Sequence, residues 1–364
     1  MCFPAQLEAM TLDELKSAVS TAESVERIKR GLPPDHVLDF AEFPFAFAGE
    51  AVGSFVQTIN AWRMREPASA DAAYNCAVAA LAVREYAKAN RLMETAQALD
   101  PQNIKLRMRF GFEPPPSSFQ FPPVAGEYPT EPAFFFSCDE HYFSALCRPL
   151  LASIAEHSPG VRCHVHLIDC DSAIMELVKT FPLALSFTNE HSGLKHAPDH
   201  VRWNYYNAIR YIRFADAMER IEGPLWVADV DALVTGDIRP MLRAGEKAAL
   251  RVRPGQLDPW HQIVASLAMG TRSSRPYFRR VADIIKAEIQ HAWWGVDQYA
   301  MFSALLDMKS DVSLLGPNLA DHGDVPALFW FTTGSRKLSL AAADSPYARL
   351  HRRYLEWAIA REPR

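Results

Sequence analysis

The chain has 364 residues, of which 49% are hydrophobic and 22% charged, and its formal net charge is −5. These values exclude a disordered chain, and they leave a nucleic-acid binder without the positive field it would need. The longest apolar runs, around Phe134 and Leu225, fall well short of the ~20 residues that cross a bilayer, so no transmembrane segment is expected.

The length suits roughly two domains. Met1-Cys2-Phe3-Pro4 lacks a basic stretch followed by an apolar core, so no secretory signal is read and a cytoplasmic protein is expected. Cys2, Cys76, Cys138, Cys147, Cys163 and Cys170 show no CxxC pairing and lie in apolar contexts. Buried free thiols are expected, with neither a disulfide framework nor a zinc site.

Residues 1–112 read as helical. Thr11-Leu12-Asp13-Glu14-Leu15 has the form of a capping box, with Glu14 three residues after Thr11. Helices are expected around 35–62 and again over 71–103. In the second stretch Ala77, Ala89 and Ala96, the aromatic Tyr86 and the terminal Pro101 fall where a tetratricopeptide repeat needs close helix packing, a filled groove and a stop. The region resembles one such repeat, and an ordinary helical hairpin is the alternative. A lone repeat cannot bury its own apolar face, so the preceding helices, a protein partner or a second copy of the chain must cover it.

Residues 113–131 are proline-rich, with Pro114-Pro115-Pro116 and Pro122-Pro123 disfavouring helix and withholding hydrogen-bond donors. They read as a linker. Phe119, Phe121 and Tyr128 suggest that it lies along a surface, since a free tether seldom carries aromatics.

From residue 132 to 364 the pattern alternates. Strands are expected at Ala133–Cys138, Arg162–Asp169, Leu183–Thr188 and Pro224–Val230, and helices at His141–His157 and His200–Arg220. Such alternation argues for an α/β domain with a mainly parallel sheet flanked by helices, whose ligands gather at the carboxyl ends of the strands. Asp139 and Asp229 would lie at such ends.

Leu225-Trp226-Val227-Ala228-Asp229-Val230-Asp231 delivers two carboxylates two residues apart. On an extended backbone, positions i and i+2 project to one side, so Asp229 and Asp231 can face a single point. Mg²⁺ or Mn²⁺ takes oxygen ligands and commonly uses one or two carboxylates, with phosphates and water completing its shell. The pair therefore points to phosphate chemistry; solvated turn residues are the bland alternative.

Four segments in fixed order carry a family resemblance. The first is Ala-Phe-Phe-Phe-Ser-Cys-Asp-Glu-His-Tyr-Phe from Ala133, followed by a helix and Val-His-Leu-Ile-Asp. The second is Ala208-Ile209-Arg210-Tyr211-Ile212-Arg213-Phe214 leading into the acidic pair and Thr235-Gly236-Asp237-Ile238. The third is Trp293-Trp294-Gly295-Val296-Asp297-Gln298, and the fourth Phe331-Thr332-Thr333-Gly334-Ser335-Arg336-Lys337. Over about residues 132–340 the chain resembles GT-A glycosyltransferases of the family 8 kind.

That resemblance implies a GT-A-like domain that transfers a hexose from a nucleotide-diphosphate-sugar, a UDP-sugar ahead of a GDP-sugar, to a glycan or protein acceptor with retention of configuration. It assigns Asp139 and Tyr142 to the base and ribose, and Asp229 and Asp231, a DxD motif, to Mn²⁺ or Mg²⁺. For the arginine that steadies the acids or meets the diphosphate it offers Arg213 first and Arg210 second. Asp297 and Gln298 would hydrogen-bond sugar hydroxyls as the catalytic pair, and Gly334 and Lys337 would meet the diphosphate. The family pattern near the C-terminus is His-x-x-Gly-x-x-Lys, but Phe331 stands at the His position, and a phenyl ring cannot ligate a cation. His322 or Asp321 is the substitute, or water. Each segment also has a plain structural reading: helix caps for Asp139 and Asp297 and surface charge for the arginines.

Two other readings compete. Trp226 to Asp231 also looks like the nucleophile loop of a haloacid-dehalogenase-type phosphatase, although no acidic pair follows a lysine in the expected order. Alternatively, the N-terminal helices recruit a partner and the second half is a degenerate, non-catalytic transferase.

Overall fold

The structure, a computed structural model, describes residues 11–14, 37–38, 50–82, 85–101, 118–243, 245–252, 263–289, 295–308, 312–316, 318–321, 326–332, 337, 340 and 343–362. The capping box is formed: Glu14 accepts from the Thr11 backbone at 2.7 Å, and the Glu14 backbone donates to the Thr11 hydroxyl at 3.3 Å.

Strand β1 (Val37–Leu38) precedes three helices, α1 (Glu50–Arg65), α2 (Ala70–Ala82) and α3 (Tyr86–Leu99). The expectation of helix throughout 35–62 is corrected here, because Val37 and Leu38 pair with the edge of the main sheet. Helices α2 and α3 form the expected hairpin, and Ala77, Ala89 and Ala96 are fully buried in it. α1 covers one side through Ile59 and Trp62, which cluster with Ala72, Cys76 and Ala79. On the other side Ala73, Ala77, Ala89, Met93 and Ala96 belong to the same apolar cluster as Tyr205, Ala208 and Ile209. The hairpin is thus covered within the chain.

The proline-rich stretch contributes β2 (Val124–Gly126), which pairs antiparallel with β5 (Ala184–Glu190) and closes one sheet edge. Gly126 has φ +90°, and a Cβ there would stand 2.6 Å from the Phe187 carbonyl oxygen, so the close approach requires glycine. Phe119 packs on Tyr205 with ring centroids 5.8 Å apart, and Tyr128 lies over His164 at 5.5 Å. The aromatics hold this segment on the surface, as their presence in a linker suggested.

The main sheet continues with β3 (Ala133–Asp139), β4 (Arg162–Ile168), β6 (Leu225–Ala228), β8 (Ala248–Val252), β9 (Ile263–Gly270) and β10 (Val312–Leu315), in the order β1-β10-β8-β9-β6-β3-β4-β5-β2. Among these nine described strands, β3, β4, β5, β6, β8 and β10 share one direction, while β1, β2 and β9 oppose it. A second sheet joins β7 (Ala232–Val234), β12 (Phe329–Phe331) and β11 (Ala320–Asp321). This is the α/β architecture expected, with helices on both faces: α4 (Arg148–His157), α5 (Ser172–Val178), α6 (Asp199–Met218), α7 (Arg275–Glu288), α8 (Val296–Met308) and α9 (Pro346–Ile359).

Alternation along β3 explains the two cores. Ala133 and Phe135 face the cluster containing α6, α7 and α8, whereas Phe134, Phe136 and Cys138 face the cluster containing α4 and α9. The five described cysteines, Cys76, Cys138, Cys147, Cys163 and Cys170, are free and buried. No helix of the described residues is long and apolar enough to cross a membrane.

Candidate functional site

Three acidic residues mark the carboxyl ends of adjacent parallel strands: Asp139 on β3, Asp169 just after β4 and Asp229 just after β6. This is the edge at which open α/β sheets gather ligands. β6 ends at Ala228, and the chain then turns through Asp229, Val230 and Asp231 before β7 enters the second sheet. The acids therefore sit in a turn between two sheets and not on an extended strand, which corrects the expected backbone. Both still line one cavity of about 300 Å³, together with Asp139, Tyr142, Trp203, Tyr206, Asn207, Arg210 and Lys337.

The turn is braced from several elements. The Asp229 backbone donates to the Ser266 carbonyl on β9 at 2.9 Å. The Asp231 carbonyl accepts from the Tyr347 hydroxyl on α9 at 2.7 Å and from the Thr332 backbone at 3.2 Å. Asp231 is only 3% exposed, and its carboxylate pairs with the Lys337 ammonium. Its Oδ1 is buried with no hydrogen-bond partner among the described residues. A buried carboxylate oxygen without a donor, beside a second carboxylate facing the same space, is a donor set that suits a hard divalent cation. Among the described residues no group of three or more His, Cys, Asp or Glu is placed to hold a metal.

Arg210, the second choice from sequence, is the arginine that reaches the cavity. Its guanidinium pairs with Asp229, meets Asp297 Oδ2 at 3.0 Å and donates to the Ala265 carbonyl at 3.1 Å. Arg213, the first choice, does not line the cavity. It is committed to Glu190, with Nε at 2.7 Å from Oε2, and to the Pro122 carbonyl at 3.0 Å. The reason lies in the sequence of β4 and β5, whose buried His164, His166, Thr188 and Glu190 form, with the half-buried Ser186, a polar ladder beneath α6. His164 bonds the Ser186 and Thr188 hydroxyls at 2.9 Å, and His166 Nε2 lies 3.5 Å from Glu190. Burial raises the Glu190 carboxyl, but His166, Arg213 and Tyr205 together hold it below the usual carboxylate range.

Asp297 is the second residue of α8 and accepts from the adjacent Gln298 backbone at 2.8 Å; it lies inside the first turn and so is not the helix cap that the plain structural reading expected. It lies behind Arg210 and does not line the cavity, and neither does Gln298. Burial pushes the Asp297 carboxyl up, with Arg210 opposing. Asp139 combines both of its sequence readings: it caps the following turn, accepting from the Tyr142 backbone at 2.7 Å, and it lines the cavity. Asp237 of the Asp-Ile pair is turned away, exposed and tied to Arg239.

Phe331 is buried in β12 opposite Ala232 and stacked on Phe329, which explains an apolar residue at this position. Gly334, His322, Trp293 and Trp294 lie outside the described residues.

The sequence reading missed one feature of α6. Trp203, Tyr206, Asn207 and Arg210 follow the spacing of a single helix face, and all four line the cavity. Polar and aromatic residues at that spacing, just ahead of an arginine, were the available signal. Tyr206 is fixed by donating to Asp169 at 2.8 Å, and Asp169 has φ +54°, an uncommon left-handed conformation for a residue other than glycine. A second cavity, of about 390 Å³, shares Tyr142 and Lys337 and is lined mainly by Ala145, Leu146, Leu340 and α9.

No known family profile matches the chain, and no curated protein matches it. It is similar to solved structures of the glycosyltransferase GlyE of Streptococcus pneumoniae TIGR4, at 15% identity over 61% of this chain and 60% of that one with a TM-score of 0.44, and of its apo form at 0.43. It thus matches about three fifths of the length of GlyE. It is also similar to the galactosyltransferase LgtC in complex with donor and acceptor sugar analogues, at 13% identity over 64% of this chain and 97% of that one with a TM-score of 0.47. At these values the likeness decides neither fold nor activity.

Proposed function

We propose that the chain is a glycosyltransferase that moves a sugar from a nucleotide-diphosphate-sugar, a UDP-sugar first, to an acceptor hydroxyl. One observation carries this reading: a single cavity at the carboxyl edge of the sheet collects Asp139, Tyr142, Asp229, Asp231, Arg210 and Lys337. Carboxylates for a cation, cations for a diphosphate and an acid beside an aromatic for a base and ribose converge there.

Departure of a nucleoside diphosphate builds negative charge on its phosphates, and groups fixed in advance around that charge lower the barrier. Asp229 and Asp231 would hold Mn²⁺ or Mg²⁺, which would supply Lewis-acid stabilisation of the leaving group. Lys337 offers its ammonium to the diphosphate from its place beside Asp231. Arg210, held by Asp297, orients Asp229 and leaves its charge near the reacting sugar. Asp297 in this reading positions Arg210. Tyr142 and Asp139 take the base and ribose. Retention of configuration and an N-terminal repeat that presents a partner belong to the same proposal, carried by resemblance alone.

Thermal melting with UDP or GDP, each with and without Mn²⁺, tests the reading. A nucleotide that binds only the folded chain raises its stability by about 2.7 kcal/mol at a hundredfold excess over Kd. Absence of any shift across both nucleotides and the metal would remove the transferase reading.

A further inference from the structure

We infer that Trp203, Tyr206 and Asn207 form the subsite for a sugar ring of the acceptor, so that the acceptor is a glycoside and not a peptide side chain. This rests on the transferase reading and adds to it the chemical class of the second substrate. Trp203 is 56% exposed, yet it lines the cavity. Met64, Leu99, Val201, Met308 and Ile359 are also exposed, but they are aliphatic and none of them lines this cavity; among the described residues Trp203 is the exposed large hydrophobic that does, and it offers the cavity a flat indole face.

The geometry of α6 assigns the position. Arg210 sits at the acids, and Trp203 lies two turns earlier on the same face, about 10 Å along the axis. That is the reach of a second ring beyond the reacting centre. Tyr206 and Asn207 occupy the intervening turn, with the Tyr206 hydroxyl held by Asp169.

The chemistry assigns the ligand. A pyranose has an apolar face of C–H groups and a rim of hydroxyls. A flat aromatic surface beside an amide and a fixed phenol matches that pattern, whereas a peptide hydroxyl has no comparable face to lay on an indole. The nucleotide base also has a flat face, but Tyr142, next to Asp139 at the end of β3, already offers it a ring. The test separates the two.

Isothermal titration of the full chain, loaded with UDP and Mn²⁺, would use methyl β-glucoside, methyl β-galactoside, methyl N-acetyl-β-glucosaminide and an acetyl-serine amide as probes. At least one methyl glycoside is expected to bind and the serine amide is not. Trp203→Ala should weaken that glycoside roughly tenfold while Trp203→Phe keeps most of the affinity, since the aromatic face is what is used. Binding of UDP alone is expected to be retained in both variants. The inference is overturned if no glycoside binds, if Trp203→Ala leaves glycoside affinity unchanged, or if it weakens UDP as much as the glycoside, which would make Trp203 a platform for the base. Failure of the wild type to bind UDP at all would end the transferase reading itself; normal UDP binding with no glycoside binding would end only the subsite.

Discussion

Arg210 donates to the Asp297 carboxylate at 3.0 Å, and its other terminal nitrogen pairs with Asp229. One planar guanidinium therefore joins the start of α8 to the acidic turn.

Arg210→Lys should break that bridge, since an ammonium is a single point charge and cannot span two carboxylates in a fixed fork. Turnover of a nucleotide-sugar should fall on the order of a hundredfold through misplacement of Asp229. Unpairing buried Asp297 should cost about 1–3 kcal/mol. Steady-state kinetics and urea denaturation would check the two parts separately, and a variant with unchanged turnover would remove Arg210 from the site.

Arg213→Met gives the opposite pattern. Glu190 is fully buried and would lose the cation that balances it. Stripping one partner from a buried pair costs about 3–5 kcal/mol. The melting temperature should drop sharply, while the Kd for UDP at a temperature where the variant is folded should stay near the wild-type value.

Asp231→Ala is expected to abolish the Mn²⁺-dependent part of UDP binding. The fold should persist, because the hydrogen bonds from Tyr347 and Thr332 use the Asp231 backbone carbonyl, and Lys337, the partner of its side chain, is partly exposed and keeps access to water. Calorimetry with UDP, with and without Mn²⁺, reads the effect; an intact metal dependence would take the cation away from this residue.

Acid should destabilise the chain well above the carboxylate range. Burial, and behind it the neighbouring His166, lowers the His164 imidazole to about 3, while the unfolded chain titrates near 6.5. Below about pH 6.5 the unfolded state takes a proton that the folded state refuses. Stability contributed by neutral His164 is thus complete above that pH and is lost as pH falls toward 3, at up to about 1.4 kcal/mol per unit. Denaturation midpoints between pH 7 and pH 5 should show the slope, and His164→Gln should reduce it, leaving the part due to His166 and His351, which burial also lowers.

Elements with strong periodicity or clear caps were legible in the sequence. β3, with its Phe134–Phe136 run, was found to within a residue and α6 to within two, whereas the acidic pair was expected on a strand and lies in a turn. The four contiguous parallel strands β6, β3, β4 and β5 were easier to anticipate than β9, because antiparallel insertion between β8 and β6 is a long-range choice that no local pattern announces. Asp139, Tyr142, Asp229, Asp231 and Lys337 were candidates from the order of the family-like segments, and one cavity gathers all five. The choice between Arg210 and Arg213 was not legible. Both lie near one face of α6, and what separates them is Glu190, a residue from a distant strand that captures one and leaves the other to Asp229. Trp203 was overlooked for a related reason: an exposed tryptophan gains meaning only once its neighbours on the helix are known to border a hollow.

The proline-rich stretch, which the sequence suggests cutting out as a joint, gives β5 its outer partner through β2 and gives Arg213 the carbonyl of Pro122. A fragment started at residue 132 would bare the amides of a long strand and invite other copies to dock there in register. Whoever trims this protein for crystallisation or assay should expect a sticky, less soluble product from that cut, and should keep the residues from 118 onward attached.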